Sequence, residues 1–150
     1  MKKLLVSAVF IFAGIIAFAQ QYEYAVVSTI ESIVPGGVGR SRMLCVKQNV
    51  DYKTFTTSRT GGKDSKQGDI DRSEIKIDNF DETKLLNFYS MVGINFQNIA
   101  SNDAVIASKI NAMVAEGWEL TFVASGVESD AGKEDGVGIF ITRYIFRHKK

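Results

Sequence analysis

The order of elements along the chain predicts an α+β fold, an antiparallel sheet with about two helices packed on one face and a C-terminal β-hairpin. Three observations carry this. Strand-like runs rich in aromatic and β-branched residues come first, between 22 and 58. Helical patterning is confined to 81–117, and two long strand patterns around a polar turn close the chain at 118–149.

The elements follow in order. "YEYAVVSTIES" (22–32) is an aromatic and β-branched strand that runs into a glycine turn. "SRMLCVKQ" (41–48) is a second strand, forming a hairpin with the first or lying beside it across a long loop. "VDYKTFTTS" (50–58) alternates weakly and could extend the pairing. "RTGGKDSKQGDIDRS" (59–73) is charged and glycine-rich with one aliphatic side chain, so it reads as a mobile loop. "EIKIDNF" (74–80) reads as a short strand. "DETKLLNFYSMV" (81–92) opens with acids suited to a helix N-terminus and carries Leu85, Leu86, Phe88 and Tyr89. "SNDAVIASKINAMVAEG" (101–117) is the clearer helix. Ser101 or Asn102 can cap it, Ile106, Ile110, Met113 and Val114 share a face, and Gly117 stops it. In the final hairpin, Trp118, Leu120, Phe122 and Ala124 are expected on one face of its first strand. The last strand is apolar on both faces, with Phe140, Tyr144 and Phe146 opposite Ile139, Ile141 and Ile145, which predicts an interior position in the sheet.

The beginning of the chain has the organisation of an export signal. Lys2 and Lys3 precede an uncharged apolar run, Leu4 to Phe18, and Ala17-Phe18-Ala19 supplies the small-x-small cleavage pattern. The run is about 15 residues, short of the roughly 20 a spanning helix needs, so an integral membrane protein is disfavoured. No cysteine follows it to carry a lipid. Cleavage after Ala19 leaves residues 20–150 as a single α+β domain, periplasmic or secreted. Losing two of the 18 basic residues against 17 acidic ones moves the formal charge from +1 to about −1. That balance gives no global field for nucleic acid. Cys45, the single cysteine, excludes an internal disulfide and is expected to be buried within its strand.

Three segments carry a resemblance. "YEYAVV" at the start, "KINAMVAEGWELTFV" at 109–123 and "RYIFRH" at 143–148 resemble a small bacterial domain of unknown function, family 4177, whose signature is "EGWEL". On that resemblance the chain is an enlarged, exported relative, with 33–100 as additional material. "SIVPGGVGRSRM", "FYSMVGINFQNI" and "GIFITRY" are similar to segments of uncharacterised exported proteins of Bacteroidetes-type bacteria. The resemblance implies no activity, cofactor or catalytic residue. Physically, Gly117 is expected to take the left-handed conformation that ends the helix, and Trp118 to fold its indole beneath it.

The inventory of reactive side chains is thin. His148 is the only histidine, close to the end of the sequence where chains usually fray, so neither a Ser-His-Asp or Cys-His site nor a zinc site has its parts. Asp130, Glu134 and Asp135 before Gly136 lack calcium-loop spacing. The glycine-rich "IVPGGVGRSRM" is followed by a strand pattern, and no GK[ST] occurs, so both nucleotide fingerprints fail. Pro35, Gly36 and Gly37 are read as a structural turn. Arg40 and Arg42 either pair with strand acids such as Glu31 or Glu23 or offer a fork to an anion.

The preferred reading is a non-enzymatic envelope module. It requires no cofactor or metal, and buries surplus apolar strand surface against an unidentified envelope protein or a second copy of itself. The alternative is a small-molecule or anion-binding protein, or an enzyme, built on Arg40, Arg42 and Arg143.

Overall fold

The computed structural model describes residues 21–33, 41–46, 48–127 and 138–150. The fold is α+β. Strands β1 (Tyr22–Ser32), β2 (Arg42–Val46), β3 (Phe80–Lys84), β6 (Glu119–Val127) and β7 (Ile139–Lys149) form one antiparallel sheet in the order β3-β2-β1-β7-β6. Strands β4 (Tyr89–Ser90) and β5 (Gly93–Ile94) form a separate small hairpin. Helix α1 (Arg72–Ile75) is a single turn, and α2 (Phe96–Ala115) is the 20-residue helix that packs on the sheet.

The two aromatic, β-branched runs at the ends of the sequence form the middle of the sheet. β1 and β7 pair over their full lengths, from Tyr22↔Lys149 to Ser32↔Ile139. The doubly apolar β7 is thus flanked by β1 and β6, as expected. Paired residues share a face, so Ala25↔Phe146, Val27↔Tyr144 and Val27↔Cys45 place these side chains on one side. There Val27, Met43, Leu85, Met113 and Phe146 form the buried core, with Val105, Ile110, Trp118 and Leu120 packed around it. Cys45 is half-buried at this rim and free. Val114, expected on the apolar face of the helix, is exposed, and Val105 takes the sheet-facing place.

The stretch 81–92 is not helical. Residues 80–84 pair with β2, from Arg42↔Lys84 to Val46↔Phe80. Past the strand, Leu85 N–H donates to Ser41 O at 3.1 Å and Phe88 N–H to Ser32 O at 3.1 Å. The free edge of β2 offers this segment backbone partners, and tertiary pairing outweighs its weak helical tendency. The expected strand at 74–80 is also absent: Glu74 and Ile75 lie in α1, and Phe80 opens β3. At 50–58, Asp51 accepts from Lys53 N–H at 3.0 Å and starts a 3₁₀ turn (Tyr52–Phe55) instead of a strand, a local side-chain bond competing with the sheet. None of residues 48–79 is buried, consistent with their polar composition.

Helix α2 begins earlier than its sequence pattern suggests. Asn95 caps it by accepting from Asn98 N–H at 3.2 Å, which leaves Asn102 well inside the helix. Its end is as expected. Gly117 has φ of +90°, Gly117 N–H donates to Val114 O at 3.0 Å and Trp118 N–H to Met113 O at 3.0 Å. This paired closure satisfies two terminal carbonyls and turns the chain into β6.

Candidate functional site

Two places in the fold gather polar chemistry or unusual exposure, one beneath α2 and one on the opposite face of the sheet.

Beneath the helix, Asn102 is 1% exposed. Its Nδ2 donates to Glu31 Oε1 at 3.0 Å and to Leu86 O at 2.7 Å, while its Oδ1 accepts from Leu86 N–H at 2.7 Å. One side chain thus ties α2 to β1 and to the segment that follows β3. Burial raises the Glu31 carboxyl above the ordinary carboxylate range, the Asn102 hydrogen bond opposes this, and the nearby Asp103 charge adds to it. Burial also raises the Tyr144 phenol; the Thr29 hydroxyl works against it, and Glu31 and Asp103 reinforce it. Thr29 Oγ1 is sealed from solvent beside the phenol. A second polar tie lies nearby: Ser41 Oγ accepts from Ser32 N–H at 3.0 Å and donates to Asn87 Oδ1 at 2.7 Å. Their partners are groups of β1 and of the segment after β3, so the arrangement holds that segment and α2 to the sheet.

The other face is of a different kind. Its side chains are the alternate set: Tyr22, Tyr24, Val26, Ser28 and Ile30 from β1, with Leu44, Val46, Phe80, Ile141 and Ile145 from the neighbours. β6 joins it by a register irregularity. Leu120 pairs with Phe146 on the core face, but Phe122 pairs with Ile145 on the open face. A bulge at this point re-aims the strand, so Leu120 and Phe122 do not share a face as simple alternation predicted. Tyr24 is 64% exposed and Phe122 61%, and Val26, Val46, Phe80 and Ile141 are exposed as well.

The sequence-derived arginines part company here. Arg42 is on the open face and is ion-paired with Glu82 across the β2–β3 ladder; its partner is neither Glu23 nor Glu31. Arg143 is on the same face but on β7, with Ser28 and Ala124 as its cross-strand neighbours. β1 runs between the two, so they do not form one cluster. Arg40, Pro35, Gly36 and Gly37 lie outside the described residues. The next described element is β2, a strand, so the sequence context for a phosphate loop leading into a helix is absent.

Arg143 borders an open cavity of about 580 Å³, lined by Ala124, Gly126, Val127, Ile139 and Ile141. At the far end of the same strands, Arg147 binds Glu119 through two hydrogen bonds of 2.8 and 2.9 Å and lies over the Tyr22 ring at 4.8 Å. The Glu119 hydrogen bond raises the Arg147 pKa, with desolvation acting against it. Among the described residues, no carboxylate pairs with Arg143.

Trp118 packs at the core rim, its ring 5.3 Å from the His148 ring. His148 is not frayed: it pairs with Glu23 along the sheet, its Nδ1 is 3.6 Å from Glu23 Oε1, and Lys150 N–H donates to Gln21 O at 3.0 Å. Among the described residues, no three His, Cys, Asp or Glu side chains are grouped to hold a metal, and no helix is long and apolar enough to cross a membrane. Comparison with protein families, with characterised proteins and with solved structures finds no match.

Proposed function

We propose that the chain is an exported, non-enzymatic interaction module, periplasmic or secreted after loss of residues 1–19, and that the open face of its sheet is the surface through which it binds. One observation carries the reading: a face built from five strands displays Tyr24, Val26, Val46, Phe80, Phe122 and Ile141 to solvent. Contiguous apolar surface of this kind marks binding sites in soluble proteins. The strands hold 41 residues. At about 3.3 Å rise and 4.8 Å spacing they present roughly 650 Å² in plan, near the 800 Å² per partner of a standard interface. The leader-like start and the thin catalytic inventory support the rest, and kinship with the family 4177 domain remains part of the proposal.

The test uses the uncharged dye Nile red and sedimentation velocity. Binding of the dye, or association with another protein or a second copy, is expected to be lost in a Tyr24→Ser/Phe122→Ser double variant whose melting temperature is unchanged. A protein that binds no dye, stays monomeric and captures nothing through this face contradicts the reading. Mass measurement of the mature chain tests cleavage after Ala19.

A further inference from the structure

Arg143 is an unusual residue for its position. Along the open face its neighbours on β7 are Ile141 and Ile145, and across the strands Ser28 and Ala124. Among the described residues, the acids facing this side are engaged: Glu82 with Arg42 and Glu119 with Arg147. Among the described residues, this guanidinium thus has no carboxylate partner, and its neighbours along β7 are apolar. It stands at the margin of a trough shaped by small residues, where Ala124 and Gly126 lie low beside Ile139 and Ile141. Its volume, about 580 Å³, falls in the range of small-molecule sites, which combine an apolar lining with a few polar groups that fix orientation. A ligand matched to this surface has an apolar body for the trough and an anionic head for the guanidinium, which binds carboxylates through two parallel N–H donors.

We propose that this trough binds a long-chain carboxylate, its chain lying over Ala124, Gly126, Ile139 and Ile141 and its head paired with Arg143. The proposal rests on the reading of the open face as a binding surface and names the chemistry of one occupant.

The test is calorimetric titration of the purified protein with sodium dodecanoate, below its micelle-forming concentration. Dodecyltrimethylammonium, with the same tail and opposite charge, is the comparison. Dodecanoate is expected to bind and the cationic analogue to bind at least tenfold more weakly. R143Q should weaken dodecanoate about tenfold to a hundredfold, the scale of a charge-assisted hydrogen-bonded pair. R143K keeps the charge but loses the fork and should fall between. Gly126 has open space where a Cβ would point, so G126L should fill the trough and abolish binding while the fold is retained. Equal binding of the two amphiphiles, or an R143Q affinity equal to that of the parent, overturns the proposal. If dodecanoate fails to bind while Nile red still reports the face, the ligand is wrong and the binding surface stands. A dimer that excludes dodecanoate replaces the ligand with a second copy. If neither probe binds and the protein remains monomeric, both readings fall.

Discussion

Replacing Asn102 with alanine removes three hydrogen bonds at once. The bonds to Leu86 N–H, Leu86 O and Glu31 Oε1 span 2.7 to 3.0 Å, and the side chain is almost wholly buried. A typical hydrogen bond contributes about 1 kcal/mol net, and a buried group left unpaired costs about 1–3 kcal/mol. The expected loss is therefore about 2–4 kcal/mol. With a urea m-value of about 2 kcal/mol/M, the unfolding midpoint should drop by about 1.5 M. Near 3 kcal/mol the melting temperature should fall by about 10 °C. Asn98→Ala is the internal control: Asn98 Nδ2 makes one bond, to Asn87 O at 2.8 Å, so its loss should be about 1 kcal/mol. Asn102→Asp separates geometry from charge, since it keeps an acceptor for Leu86 N–H but sets a carboxylate against Glu31. It should be no better than alanine at neutral pH and regain stability as the carboxyls protonate. A loss below about 1 kcal/mol for Asn102→Ala, or one no larger than that of Asn98→Ala, would refute the clamp.

Glu31→Gln tests the buried carboxyl. Its pKa is raised in the folded protein, so the stabilisation linked to its proton is complete below the ordinary value of 4.5 and is lost as pH rises through the folded value. Thermal melts should show the glutamine variant gaining over the parent at pH 7.5 but not at pH 4; an identical difference at both pH values counts against it. Gly117→Ala places a side chain at φ +90° with its Cβ 3.1 Å from His148 Nε2, and should cost about 1–2 kcal/mol in chemical unfolding. A neutral result would mean that the helix end adjusts freely. Phe146→Ala, in a fully buried position, should lose about 3–5 kcal/mol, whereas Phe122→Ala on the open face should change the stability of the monomer by less than about 1 kcal/mol. Equal losses would contradict the assignment of the two faces. Arg42→Gln removes a half-exposed pair with Glu82 and should change unfolding free energy by at most about 1 kcal/mol and leave dodecanoate affinity intact.

The strands that make most of the sheet could be read from the sequence because their patterns are local. β1, β6 and β7 are dense in β-branched and aromatic residues, β2 is a short apolar run (Met43 to Val46), and Gly117 marks its turn by being the residue type most at ease there. β3 was hidden because Asp81 and Glu82 suit a helix start as well as a strand. Its strand state comes from the edge of β2, distant in sequence. Asn102 was visible only as a capping candidate, since its partners Leu86 and Glu31 are brought to it by the fold. The face assignment of Phe122 failed because one irregularity near Leu120 reverses the alternation that sequence reading relies on. Of the three arginines, composition could not distinguish Arg42 from Arg143: the difference lies in which acids the register sets across from each.

The full-length pairing of β1 with β7 has a consequence for how the chain assembles. The strand at the centre of the sheet meets one of its two partners only after more than a hundred further residues have followed it. A chain emerging from the ribosome with its N-terminus first cannot complete the sheet early, because Phe146, at the heart of the core, follows β1 by more than a hundred residues. β1 and β2 can meet beforehand, but their apolar sides stay wet until β7 slots in. Removing β7 should therefore leave no smaller native-like remnant, and folding should be slow for a domain of this size, limited by that long-range closure. A polypeptide built this way stays pliable until β7 has joined β1.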